Sequence, residues 1–178
     1  MGEMSDRGQG TGVRGQGSDP GGKIVTLADA VALAARLRAD GRRVVVANGA
    51  FDMLHVGHVR YLAAARAAGD LLVVAVNSDA SVRASKGPLR PIVPEAERVE
   101  LLSHLDCVDR IVLFDEPRVA EVLRALRPHV HAKGTDYTVA SVPERAVVAE
   151  WGGETVICGD PKEHATTDLV AEILKRFS

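Results

Sequence analysis

The stretch RVVVANGAFDMLHVGH, residues 43–58, decides the fold. Its first five residues, RVVVA, form a short β-branched run of the kind that makes a buried strand. Residues 59–68 then look helical and are closed by Gly69, a residue that commonly ends helices. A strand–turn–helix unit is therefore predicted. His55 and His58 stand three residues apart, and Gly57 lies between them at the start of the helix.

The same alternation extends in both directions. Upstream, Thr26 can cap a helix on which Ala30, Leu33, Ala34 and Leu37 recur at helical spacing, with Gly41 as its stop. Downstream, strands are predicted at 71–76 (LLVVAV), 110–114 (RIVLF), 130–132 and 154–158, and helices at 95–105, 119–126, 144–151 and 167–177. The strand candidates are nearly continuous apolar runs, which means a parallel sheet buried on both faces. The expected class is α/β: a Rossmann-like, doubly wound, parallel five-stranded sheet with helices on both faces and right-handed crossovers. Ligands of such folds bind at the carboxyl ends of the strands, at the switch point.

Composition fits one compact domain. Of the 178 residues, 46% are hydrophobic and 26% charged, ordinary values for a globular chain. Residues 1–22 hold eight of the seventeen glycines and only Met1, Met4 and Val13 as sizeable apolar groups. They are expected to be a disordered tail, leaving 23–178 as the domain. The 22 basic and 24 acidic side chains give a net charge of −2, which argues against a nucleic-acid binder held by overall basicity. No apolar run approaches the roughly 18 residues of a membrane span, and no signal-like segment opens the chain. Cys107 and Cys158 stand far apart, as suits buried thiols in a reducing cytoplasm.

The histidine stretch is where chemistry is expected. A helix N-terminus carries unpaired N–H groups and a partial positive charge, Gly57 admits a ligand close to the backbone, and two imidazoles add donors to the same anion. The assembly reads as a site for a phosphate that gains charge in a transition state. It is neither a P-loop nor a dinucleotide fingerprint. Beyond it, Asn77 and Asp79 follow the second strand and can bond sugar hydroxyls. Lys86 and Arg90 sit on the punctuated loop KGPLRPI and suit a triphosphate or a sugar phosphate. Arg98 lies early in a helix, where a cation opposes the dipole unless an anion is bound, so a phosphate contact is expected. Thr166 and Thr167 open the last helix and could hold a second anion. His104, His129, His131 and His164 read as surface or packed histidines, and Met53 and Trp151 as packing.

GxFDxLHxGH resembles the signature of the cytidylyltransferase-like nucleotidyltransferases. The likeness continues through Asn77-Ser78-Asp79, Lys86-Gly87, Arg90-Pro91-Ile92, Arg98, Val108-Asp109, Lys133-Gly134-Thr135-Asp136-Tyr137, Gly152-Gly153-Glu154 and Thr166-Thr167, across about residues 23–176. It is closest to the branch that adenylylates D-glycero-β-D-manno-heptose 1-phosphate. The chain leaves no room for the sugar kinase to which that domain is often fused, so a stand-alone form is expected. The pattern departs at Ala165, where the family usually has Ser, and at Ala50, where it has Cys or Thr.

The resemblance implies transfer of the adenylyl group of ATP to a sugar 1-phosphate, giving a nucleotide sugar and pyrophosphate. Catalysis would fall to His55, His58, Lys86 and Thr166. Asn48, Gly49, Ala50, Phe51, Asp52, Gly57, Lys133, Gly134, Asp136 and Thr167, with His55, His58 and Thr166, would bind the nucleotide. Asn77, Asp79, Lys86, Arg90 and Arg98 would bind the sugar phosphate. Mg²⁺ would be held through the triphosphate, with no protein metal site, and the protein would be a cytoplasmic homodimer. Two other readings stay open: a cytidylyltransferase for a polyol phosphate, and a nucleotide-binding regulator without turnover.

Overall fold

The structure, a computed structural model, describes residues 21–160 and 166–177, with side chains of the last segment from Leu169 onward. The expected tail lies almost wholly outside the described residues, as do His164 and Ala165. In chain order the elements are α1 (Leu27–Ala39), β1 (Val44–Gly49), α2 (Val56–Ala67), β2 (Leu71–Asn77), α3 (Asp79–Lys86), α4 (Glu95–Ser103), β3 (Arg110–Phe114), α5 (Ala120–Leu126), β4 (Val130–Gly134), α6 (Arg145–Ala149), β5 (Glu154–Cys158) and α7 (Thr166–Phe177), with a 3₁₀ turn at Val139–Ser141. Among the described residues no helix is long and apolar enough to cross a membrane.

All strand pairings are parallel, in the order β3-β2-β1-β4-β5. This is the doubly wound α/β architecture expected of the sequence. The chain steps outward from β1 through β2 to β3, then returns to lay β4 on the other side of β1. The connections after β1 and β4 therefore diverge, and their carboxyl ends border a crevice.

Successive strand residues face opposite sides of a sheet, and here both sides are covered. Val45, Ala47, Leu72, Val74 and Val76 pack with Leu62 and Ala65 of α2 and Leu102 of α4. Val44, Val46, Val73 and Ala75 pack with Ala34 of α1, Leu123 of α5 and Val148 of α6. With Val44–Ala47 and Leu71–Val76 buried throughout, the central strands read as unbroken apolar runs. Burial of each large aliphatic side chain is worth about 1.5–3 kcal/mol.

α3 lacks such a signal. Its sequence DASVRASK buries only Ser81 and Val82, too few to set a helical stripe. Ser78 starts it by accepting the Ser81 N–H. Lys86, expected on a loop, is the last residue of this helix, and Gly87 at φ 95° turns the chain away.

Candidate active site

A cleft of about 670 Å³ opens at the carboxyl edge of the sheet. β1 supplies Asn48 and Gly49; the following turn supplies Ala50, Phe51, Asp52 and His55; α2 supplies Gly57 and His58. Asn77 reaches it from the end of β2, Lys86 from the end of α3, Arg90 from the loop after it, and Lys133, Gly134 and Asp136 from the end of β4 and the turn beyond. Gly49 lets the Phe51 ring pack closely: a Cβ there would lie 3.3 Å from that ring.

The two histidines form a reciprocal cap on α2. The Gly57 N–H donates to His55 Nδ1 at 3.2 Å, and the His55 N–H donates to His58 Nδ1 at 3.4 Å. A neutral imidazole that accepts at Nδ1 carries its proton on Nε2. Both rings are thereby set as Nε2–H donors, 4.0 Å apart between centroids. Burial first, then the nearby charges of His55 and Lys86, pull His58 down to about 4, with Asp136 opposing. It is a neutral donor at pH 7. Gly57, expected to admit a ligand close to the backbone, lines the cleft, and its N–H is bonded to the His55 ring.

A second group lies on the opposite face of the sheet. Asn48 Oδ1 stands 3.0 Å from His131 Nε2 and accepts from the Lys133 ammonium at 3.3 Å. Lys133 sits 4.6 Å over the centre of the Tyr137 ring, a cation–π contact. Burial lowers the Lys133 pKa, and Glu144 opposes that shift. Tyr61, packed under the cleft from α2, donates its hydroxyl to the Ala132 carbonyl at 2.8 Å and so ties α2 to β4.

Two predicted substrate ligands point elsewhere. Arg98 has a fully buried side chain that pairs with Asp79 at 2.8 Å and donates to the Val93 and Ala50 carbonyls. The anion that a cation near a helix start requires is internal. Asp79 is engaged likewise: its Oδ1 accepts from the Glu95 N–H at 2.9 Å, while Glu95 accepts from the Asp79 N–H at 2.6 Å. The starts of α3 and α4 thus exchange carboxylates. Neither Asp79 nor Arg98 lines the cleft. Asp52 does, but it is 4% exposed and accepts from Arg90 at 2.7 Å and from the Ile92 and Val93 N–H groups at 2.9 and 3.0 Å. Burial pushes this carboxyl up, yet the Val93 amide, Arg90 and the Ile92 amide together hold it below its usual range. Asp52 anchors the loop that carries Arg90 to the cleft.

The sequence profile of the cytidylyltransferase-like family matches residues 46–170. The chain belongs to this family of nucleotidyltransferases. It is 50% identical over 143 residues to the "Bifunctional protein HldE" of Streptomyces coelicolor, an alignment covering 80% of this chain and 31% of that protein. Identity to the protein of the same name from Pelobacter propionicus is 46% over 141 residues, covering 79% and 29%. The chain thus spans about three-tenths of the length of these curated relatives. The lipopolysaccharide core biosynthesis protein of Thermoplasma volcanium shares the fold at a TM-score of 0.60 and 31% identity, over 68% of this chain and all of the other.

Within this cytidylyltransferase-like site, Thr166 and Thr167 begin α7, and their side chains lie outside the described residues. Sequence reasoning missed Arg60, Tyr61, Cys158 and Asp160, which also line the cleft. Arg60 and Asp160 pair across its rim at 3.1 Å. The apolar run ETVIC could have flagged Cys158, because a residue closing a parallel strand lies at the ligand edge. His131, read as a packed histidine, is packed; its bond to Asn48 had no sequence signal. Chemically, the cleft offers two imidazoles, the ammonium groups of Lys86 and Lys133 and the Arg90 guanidinium, a donor set suited to phosphate oxygens.

Proposed function

We propose that this chain transfers the adenylyl group of ATP to a sugar 1-phosphate, most readily D-glycero-β-D-manno-heptose 1-phosphate, releasing pyrophosphate. The observation that carries the proposal is the reciprocal histidine cap. It puts two Nε2–H donors beside each other at the switch point of the sheet, flanked by Lys86 and Lys133. The heptose branch is favoured by the motif likeness through Asn77, the KGTDY stretch and the histidine signature, and the similarity to the bifunctional proteins is consistent with it.

A sugar phosphate oxygen attacks the α-phosphorus, the bond to the bridging oxygen breaks, and pyrophosphate leaves. The nucleophile is already an anion at neutral pH, so no general base is required, and rate comes from positioning and charge stabilisation. His55 and His58 donate to the phosphate chain and follow the charge as it develops. Lys86 neutralises α- or β-phosphate oxygens. Asn48, Lys133, Gly134 and Asp136 hold the nucleotide, and Asn77 and Arg90 face the sugar phosphate. Thr166 and the start of α7 receive the pyrophosphate. Mg²⁺, held through the triphosphate, would neutralise phosphate charge. A homodimer in the cytoplasm is the proposed setting.

The test is pyrophosphate release by the purified chain across the four nucleoside triphosphates and a panel of sugar and polyol phosphates. ATP with the heptose 1-phosphate should give the highest kcat/KM. A preference for CTP and a polyol phosphate would replace the adenylyl assignment, and binding without release in every combination would make the chain a nucleotide sensor.

A further inference from the structure

His131 lies at the centre of β4, 0% exposed, opposite Val46 of β1 and Thr155 of β5. The buried imidazole carries a cost. Among the described residues its Nδ1 is buried with no hydrogen-bond partner, and so is the Oγ1 of Thr155, its register partner on β5. A buried polar atom left unpaired is destabilising. The only hydrogen bond that the ring makes among the described residues goes from Nε2 to Asn48 Oδ1, at 3.0 Å.

That bond fixes an otherwise ambiguous group. An Asn amide can present either its oxygen or its NH₂ to a ligand, and hydrogen bonds decide which. Asn48 Oδ1 already receives the Lys133 ammonium. With Nε2–H of His131 as the second donor, the oxygen is held toward β4. Asn48 lines the cleft, and among the described residues no acceptor engages its Nδ2. The amide is therefore turned with its two N–H donors available to whatever occupies the cleft.

We propose that His131 is a positioning residue. Buried beneath the site, it locks the Asn48 amide so that Nδ2 donates to an acceptor on the bound nucleotide. This rests on the assignment of the cleft as a nucleotide site. His131 itself touches no substrate. Without it, Lys133 alone would restrain the amide, through a longer bond, and the amide would sample the flipped orientation. The effect falls on nucleotide binding rather than on the transfer step, so KM for ATP moves and kcat does not.

The test uses the full chain and Mg-ATP. Wild-type affinity is measured first by calorimetry; absence of ATP and CTP binding would sink the nucleotide assignment itself. Given wild-type binding, His131→Leu, which removes the bond and keeps apolar volume, should weaken ATP binding and raise KM for ATP about tenfold, with kcat within twofold. His131→Gln, whose amide N–H can reach the same oxygen, should recover most of the affinity. In Asn48→Ala, which lacks the amide, His131→Leu should add nothing further. ATP affinity of His131→Leu within twofold of wild type overturns the proposal, as does an undiminished effect in the Asn48→Ala background. If His131→Leu does not fold, Gln and the double variant of Asn48→Ala with His131→Gln carry the same comparison.

Discussion

The two shores of the cleft use charge and polarity in opposite ways. On the α2 shore, His55 and His58 satisfy the backbone through Nδ1, and both rings line the cleft. On the α3–α4 shore, Asp79, Arg98, Asp52 and part of Arg90 satisfy one another and the loops around them. Both shores looked equally chemical as residue lists. What separates them is where the polar tips end: in the cleft on one side, inside the protein on the other.

Breaking the scaffold shore gives the largest expected effect. Arg98→Met removes a fully buried guanidinium and leaves the Asp79 carboxylate and two carbonyls without it. A buried pair broken on one side costs about 3–5 kcal/mol. Urea unfolding should show that loss, and Arg98→Met combined with Asp79→Asn should recover part of it. Undiminished stability with a raised KM for the sugar phosphate would move Arg98 back among the substrate ligands.

Acid sharpens the contrast by a smaller step. His131 and His58 are pulled by burial, with Lys133 and His55 adding, from 6.5 to about 3 and about 4. Below pH 6.5 the unfolded chain takes up protons that these folded imidazoles refuse. The stability they confer is complete above that pH and falls as acid is added through the window down to about 3. For buried His131 the slope is about 1.4 kcal/mol per pH unit. Stability measured from pH 7 to 5 should fall, and His131→Leu should flatten the curve. An unchanged slope in that variant would mean that His131 is protonated in the native protein.

Much of this was legible before any coordinates. The unbroken apolar runs follow from a sheet buried on both faces, so the strands and their parallel sense could be read directly, and the switch point followed from the alternation. The histidine stretch was legible because one local segment builds both strand end and helix start. α3 was not, since DASVRASK offers no apolar stripe. Asp79 with Arg98, and Asn48 with His131, are pairs 19 and 83 residues apart. Nothing in one-dimensional spacing brings such partners together, so neither the Asp79–Arg98 ion pair nor the His131–Asn48 bond could be read from the sequence.

The central claim is that the Nε2–H donors of the histidine cap act on the phosphate chain during transfer, not on folding. The most direct measurement is kcat and melting temperature on one preparation of His58→Ala. His58 is half-buried and makes one long capping bond, so melting should stay within about 4 °C of wild type. Loss of a preorganised donor to a charged transition state should lower kcat by about 10²–10³. A protein that melts much lower yet turns over within threefold of wild type would contradict the account, because the histidines would then be holding the helix and nothing more.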